Sequence, residues 1–349
     1  MTCRVLVVDD SRSMRALIAE TLRLDPRIEV VGEAADPLEA RNLIKELDPD
    51  VITLDIEMPK MNGLEFLERL MRLRPTRVVV ISSLTERGAA TTIRALEMGA
   101  MECVAKPSPR DRNSFADLAQ KVLQIGSAPA PRGVRGVNSA ATPGEDDQHY
   151  APDGRLVVIG ASMGGVEALF TVLTAFPKNC PPTVVVQHMP ALFTHSFAAR
   201  LDRACKASVE EATEDQFLEP GRILIAPGGS RHLQIVKRGR LSTRLVEGPT
   251  VTGHRPSIDV MFRTAAQVCG RNTVGVILTG MGRDGADGLL TLRNAGAQTI
   301  GQDEATSLVY GMPRAAFEVG AVETQLPLHN IGARIVAATN ATKARVPCL

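Results

Sequence analysis

Residues 156–170 read LVVIGASMGGVEALF, an apolar run, then a glycine-rich turn, then a stretch with helical spacing. That succession predicts the strand, tight turn and helix of a parallel α/β layer, because glycine lets the backbone turn sharply at the head of a helix. The turn has two chemical readings. It can cradle a phosphate at the helix N-terminus, or it can present Ser162 as a nucleophile in the pattern GxSxG. GASMGG matches neither GxGxxG nor GxxxxGK[ST], which weakens the phosphate reading.

Working outward, apolar strand-like runs recur at 183–187 (TVVVQ), 222–227 (RILIAP) and 274–280 (VGVILTG), with helical patterns such as MFRTAAQV between several of them. Upstream, runs at 4–8, 29–34, 51–55, 78–82 and 101–105 alternate with helical stretches such as PLEARNLIKEL and LEFLERLMRL. The expectation is two doubly wound parallel-sheet α/β domains, the first flavodoxin-like and the second Rossmann-like. Residues 234–248 (QIVKRGRLSTRLVEG) break the rhythm and predict a small antiparallel hairpin at one edge of the second sheet. Between the two domains, 126–152 holds four Pro, four Gly and almost no large apolar residue, which suits a flexible linker. The predicted division is therefore 1–125, linker 126–152 and 153–345.

Composition narrows the function. The 349 residues carry 40 Lys and Arg against 39 Asp and Glu, with no Trp and two Tyr. A nucleic-acid binder would need a basic excess and aromatic platforms, so no DNA or RNA ligand is expected. No apolar run is long enough to span a membrane and the N-terminus lacks a signal-peptide core, so a cytoplasmic protein without membrane insertion is expected. The six cysteines are scattered with no CxxC pair, which fits reduced thiols better than a disulfide frame or a zinc site.

In a parallel sheet, ligands gather beyond the carboxyl ends of the strands. The first five strand-like runs end in or beside Asp9 and Asp10, Asp55, Ser82 and Lys106. Three carboxylates at one edge repel unless a hard cation joins them, and Mg²⁺ is the natural choice. Asp55 then reads as a carboxylate nucleophile toward a phosphodonor, with Lys106 and Ser82 holding phosphoryl oxygens. Singly, each residue has a plainer reading, such as Ser11 or Asp10 capping a helix and Lys106 pairing with a surface acid.

In the second half Ser162 needs a base, and the base needs an orienting acceptor. His188 ends the run TVVVQ, and Asp284 lies in the glycine-flanked loop MGRDGADG after VGVILTG. His232 and His254 also sit in loop-like stretches, and Asp259, Asp287 and Asp303 are rival acids, so the residues alone leave the pairing open. The order Ser, His, Asp argues against an α/β-hydrolase, where the acid precedes the histidine.

VLVVDDSRSMR, TLDIEMPKMNG, ISS and AKP, in that order, resemble the response-regulator receiver family. LVVIGASMGGVEAL, VVVQHMP, IAPGGSRHL, GHRPSIDVMF and VILTGMGRDGADGL resemble the catalytic domain of the protein-glutamate methylesterase family of bacterial chemotaxis. The first resemblance implies phosphorylation of Asp55 by a histidine kinase, Mg²⁺ bound by Asp9, Asp10 and Asp55, and phosphate sensing by Ser82 and Lys106. Cys103 stands where many receivers carry Tyr or Phe. The second implies a catalytic triad of Ser162, His188 and Asp284, with the Met281 N–H in the oxyanion hole and no cofactor for the esterase. Met163 stands where Thr often follows the serine. The implied substrates are methylated glutamates of methyl-accepting chemotaxis receptors, with deamidation of receptor glutamines as a related activity. A monomer is implied, with an unphosphorylated receiver that covers the esterase face.

Overall fold

The computed structural model describes residues 2–58, 63–83, 85–107, 115–128 and 150–341. The chain divides into two compact units, Met1–Ser139 and Ala140–Leu349. In the first, strands β1 (Cys3–Val8), β2 (Ile28–Ala34), β3 (Val51–Asp55), β4 (Arg77–Ser82) and β5 (Glu102–Ala105) form one parallel sheet in the order β2-β1-β3-β4-β5. Helices α1 (Arg12–Arg23), α2 (Pro37–Leu47), α3 (Gly63–Leu73), α4 (Glu86–Glu97) and α5 (Leu118–Ser127) alternate with them. Covered on both faces, the central strands are mostly apolar, as in the wholly buried VITLD of β3, where Thr53 and Asp55 are the exceptions. Helix starts follow local chemistry: Asp36 accepts from the N–H groups of Leu38 and Glu39, with Pro37 just inside α2.

The second unit contains a seven-stranded parallel sheet in the order β14-β13-β12-β6-β7-β9-β8. Its strands are β6 (Leu156–Ala161), β7 (Thr183–Gln187), β8 (Ser208–Glu211), β9 (Arg222–Ile225), β12 (Thr273–Ile277), β13 (Gln298–Gln302) and β14 (Thr324–Leu326), with the hairpin strands β10 (Arg231–Arg238) and β11 (Arg240–Glu247) apart from them. The helices are α6 (Gly165–Leu173), α7 (Ala191–Ala204), α8 (Ile258–Cys269), α9 (Ala286–Asn294), α10 (Met312–Glu318) and α11 (Leu328–Ala338). The direction of winding reverses at β6, whose neighbours are β7 on one side and β12 on the other. In the first unit it reverses at β1, between β2 and β3. Such switch points leave a crevice at the carboxyl ends of the strands.

Three differences from the sequence reading have physical causes. The hairpin forms, but as its own two-stranded sheet rather than as an edge of the main sheet. It is tied to α8 by a hydrogen bond from Ile235 N–H to the Thr264 hydroxyl (3.0 Å), and its buried Leu233 and Ile235 join the core around Phe262. Both ends of the predicted linker are ordered: α5 continues to Ser127, while Tyr150 is buried with its hydroxyl 2.9 Å from that of Thr339. The stretch 129–149 lies outside the described residues. Third, β12 ends at Ile277, so 278–280 already belong to the loop that carries Asp284.

Candidate active site

β6 and β7 pair with Ala161 opposite Gln187, so Ser162 and His188 leave neighbouring strands side by side. The His188 N–H donates to Ala161 O at 3.1 Å, extending the ladder and fixing the root of the imidazole. Gln187 Nε2 donates to the carbonyls of Ser162 (2.8 Å) and His188 (3.1 Å), tying both turns together. From the other side of β6, Thr279 O accepts the Ser162 N–H at 3.1 Å. Gly280 follows, and a methyl group there would sit 2.7 Å from Ser162 Cβ and press on Met312 Sδ, so this approach requires glycine.

Asp284 is fully buried and accepts from five donors. His188 Nε2 lies 2.9 Å from Oδ2, and the Ile258 N–H donates to the same oxygen at 2.8 Å. Oδ1 accepts from the Ser257 hydroxyl (2.8 Å), the Asp259 N–H (3.2 Å) and the Thr252 hydroxyl (3.3 Å). Ile258 and Asp259 open α8, whose N-cap residue Ser257 makes no side-chain cap to its own helix. Asp284 therefore caps α8 from outside, and the helix N-terminus returns a favourable field to the carboxylate. Burial pushes the Asp284 carboxyl upward, but the His188 hydrogen bond and charge, with the Ile258 and Ser257 bonds, outweigh it and hold the group below its ordinary range.

An ionised Asp284 beside Nε2 places the imidazole proton on that nitrogen and leaves Nδ1 as the basic one. Nδ1 is buried and has no hydrogen-bond partner among the described residues. No hydrogen bond joins it to Ser162 Oγ among those residues, a looseness common before substrate binds. The N–H groups of Met163 and Met281 likewise find no acceptor among the described residues. Met163 follows the serine, a standard position for an oxyanion donor that the sequence reading did not use.

The rival residues have other occupations. His232 is buried, donates from Nε2 to Pro249 O (2.8 Å) and accepts the Ser257 N–H at Nδ1 (3.1 Å), so both nitrogens are spent on structure. Asp287 pairs with Arg283 at 2.9 Å, Asp303 accepts from the Thr306 N–H at 3.0 Å, and Asp259 accepts the Gly288 N–H at 2.7 Å. His254 stacks on His188 with ring centroids 3.8 Å apart and planes within 3°. Ligand atoms of His188, His254 and Asp284 do fall within 4.8 Å of one another. Parallel rings, however, cannot both aim in-plane lone pairs at one ion, so this trio is a stack rather than a chelate. Burial pushes the thiols of Cys103, Cys180 and Cys205 up to about 12, which disfavours a cysteine nucleophile.

In the first unit, Asp9 and Asp55 are buried and Lys106 Nζ lies between them, 2.9 Å from Asp9 Oδ2 and 2.6 Å from Asp55 Oδ2. Asp55 Oδ1 accepts the Glu57 N–H at 2.9 Å, and Asp9 Oδ1 accepts the Ser11 N–H at 2.9 Å. Asp10 is exposed, yet ligand oxygens of Asp9, Asp10 and Asp55 lie within 4.8 Å of one another. Ser82 is buried at the end of β4, one residue beyond the partner of Asp55. Burial raises the Asp55 carboxyl, an effect that Lys106 and Glu57 only partly offset and that nearby Asp9 reinforces. Burial lowers Lys106, but the two carboxylates outweigh it and the ammonium is held above its usual range. Three carboxylates against one lysine leave this edge short of positive charge, and an oxygen-ligated divalent cation fits it. Of the plainer readings, Ser11 does cap α1, accepting the Met14 N–H at 3.4 Å, whereas Lys106 pairs with buried acids.

Known proteins align with both units. The CheB methylesterase family matches residues 157–335 and the response regulator receiver domain family matches residues 5–114. A protein-glutamate methylesterase/protein-glutamine glutaminase of Agrobacterium fabrum is 56% identical, with 97% of each chain covered. One of the same name from Caulobacter vibrioides is 54% identical over 97% of this chain and 99% of its own. Among solved structures, the Thermotoga maritima CheB methylesterase catalytic domain superposes with a TM-score of 0.52 and 37% identity, covering 53% of this chain and 98% of that domain. No helix among the described residues is long and apolar enough to cross a membrane.

Proposed function

The chain belongs to the CheB methylesterase family, and from that premise we propose that Ser162, His188 and Asp284 hydrolyse glutamate γ-methyl esters on chemoreceptors. The protein is a hydrolase with a receiver domain, placed in the adaptation arm of chemotaxis. The observation that carries the residue assignment is the 2.9 Å contact of His188 Nε2 with a five-donor Asp284, which leaves a buried, unpartnered Nδ1 beside the serine strand. His188 Nδ1 takes the proton of Ser162 Oγ as the oxygen attacks the γ-carbonyl. The N–H groups of Met163 and Met281 receive the oxyanion, each worth about 3 kcal/mol of barrier by the usual cost of losing such a donor. The same proton then goes to the departing methoxide, methanol leaves, and water releases glutamate by the reverse sequence. Receptor glutamines react through the same acyl-enzyme with ammonia as leaving group.

The receiver domain makes the enzyme phosphorylation-regulated. In this reading Asp55 is the phosphoryl acceptor from a histidine kinase, and Lys106 and Ser82 bind oxygens of the transferred group. Asp9, Asp10 and Asp55 would hold Mg²⁺, which neutralises charge on the phosphoryl group during transfer. The protein works in the cytoplasm as a monomer. Two rates test the assignment. Methanol release from methylated receptor should fall to background in Ser162→Ala, and its stimulation by a small phosphodonor should vanish in Asp55→Asn. Equal wild-type and Ser162→Ala rates would remove the nucleophile assignment, and undiminished stimulation in Asp55→Asn would remove the acceptor.

A further inference from the structure

His254 has a place in the site that the triad does not require. It closes a four-residue turn in which the Val251 N–H donates to His254 O (3.1 Å) and the His254 N–H to Val251 O (3.0 Å). Both central residues have positive φ, Thr252 at 54° and Gly253 at 80°. Glycine takes this conformation freely, but a β-branched threonine there is strained, and such strain persists where the site uses the residue. The turn serves the site twice. The Thr252 hydroxyl is 3.3 Å from Asp284 Oδ1, and the His254 ring lies flat on His188. His254 Nδ1 is 2.9 Å from Thr252 O, an acceptor that fixes the proton on Nδ1 and the orientation of the ring.

We propose that His254 is a positioning residue of the esterase site, whose neutral ring braces His188 and whose protonation switches the site off. The inference rests on His188 being the base. As Ser162 gives up its proton, His188 becomes an imidazolium, and the face of a neutral ring 3.8 Å away favours that cation. A protonated ring at that distance opposes it. Among the described residues, several charged groups around the pair have partners of their own. Asp284 is bound to His188, and Asp259 pairs with Arg263 on α8 at 3.2 Å. Arg255 donates to the carbonyls of Gly229 and Gly248, Arg283 pairs with Asp287, and His232 is closed by Pro249 and Ser257. The titratable ring stacked on the base is His254.

The test uses the full chain and the pH profile of methanol release from methylated receptor. His254→Phe keeps an aromatic face that cannot protonate. It should retain at least about a third of the neutral-pH kcat, with its acid limb moved to lower pH by about half a unit or more. His254→Ala loses the face, and kcat should fall about tenfold at every pH with KM within about twofold, while the thermal midpoint moves little. The proposal is overturned if His254→Phe keeps the wild-type acid limb, or if His254→Ala keeps the wild-type kcat. His188→Gln separates the two readings: its retaining activity would remove His188 as base and the proposal with it, whereas its inactivity beside an unaltered His254→Phe profile would remove this inference alone.

Discussion

Asp55 and Asp284 are both buried aspartates at a switch point of a parallel sheet, yet their surroundings drive them in opposite directions. Asp55 shares one lysine with Asp9 and sits near a third carboxylate, so its charge is undercompensated and its carboxyl is raised by burial. Asp284 meets five donors, two of them from the first turn of a helix, and stays ionised despite complete burial. The contrast shows that burial alone does not set the state of an acid. What decides is how many donors, from side chains and backbone together, point at it. In the proposed function, the group that gives electrons to phosphorus is left short of partners, while the group that holds a histidine still is surrounded.

The largest effect should come from removing the charge of the satisfied acid. Asp284→Asn would turn an amide toward the Ile258 and His188 donors, and methanol release should fall on the order of 10³–10⁴-fold. The same variant should accept a phosphoryl group on the receiver at the wild-type rate, as followed by phosphodonor consumption. A loss in both activities would break the separation of the two sites. Next in size is the pH response of stability. The lowered carboxyl of Asp284 contributes stability that is present above its unfolded value near 3.8 and is lost as pH falls through the folded value. The raised carboxyl of Asp55 has the opposite sign: its contribution is present below the unfolded value and is lost as pH rises through the folded one. At neutral pH, Asp55→Asn should therefore raise the thermal midpoint of the receiver transition by a few degrees, and Asp284→Asn should lower that of the esterase transition. Calorimetry of the full chain reads both, and a shift of the same sign in each would undo the contrast.

A smaller change should follow from trimming one donor. Ser257→Ala leaves Asp284 with four, and kcat should drop about three- to tenfold, the size of one ordinary hydrogen bond of about 1 kcal/mol. If Ser257→Ala reached the level of Asp284→Asn, Ser257 would have a chemical role of its own. The least effect concerns the thiols. Burial holds Cys103, Cys180 and Cys205 near about 12, so alkylation of the native protein at neutral pH should be far slower than in denaturant. Mass spectrometry after brief iodoacetamide treatment would find a fast native site there if the packing were looser.

Much of this was legible in the residues. Runs such as VITLD and TVVVQ are dominated by apolar β-branched residues because both faces of a parallel sheet are covered, and that made β3 and β7 readable to the residue. Three strands were missed for the converse reason. SVEE is charged at a sheet edge, QTIGQ is polar at both ends, and TQL is only three residues long. In the site, His188 and Asp284 stood out because each follows a strong strand. Thr252 and Ser257 did not, and His254 entered only as a rival base, since their partners are 32, 27 and 66 residues away in sequence and only the return of an irregular segment brings them close. One sign was available: Ser257 in GHRPSID stands where a helix N-cap is expected, and the structure turns its hydroxyl to Asp284 instead of its own helix. The hairpin was recognisable from KRGR, but nothing local distinguishes a strand pair packed on a helix from one added to a sheet edge.

The carboxylate that orients His188 is also the cap that begins α8. Inactivation and the loosening of that first helical turn are then a single event. On heating, methanol release and amide protection at Ile258 and Asp259 should disappear on one curve, so that the enzyme's own turnover reports whether this corner of its core is folded.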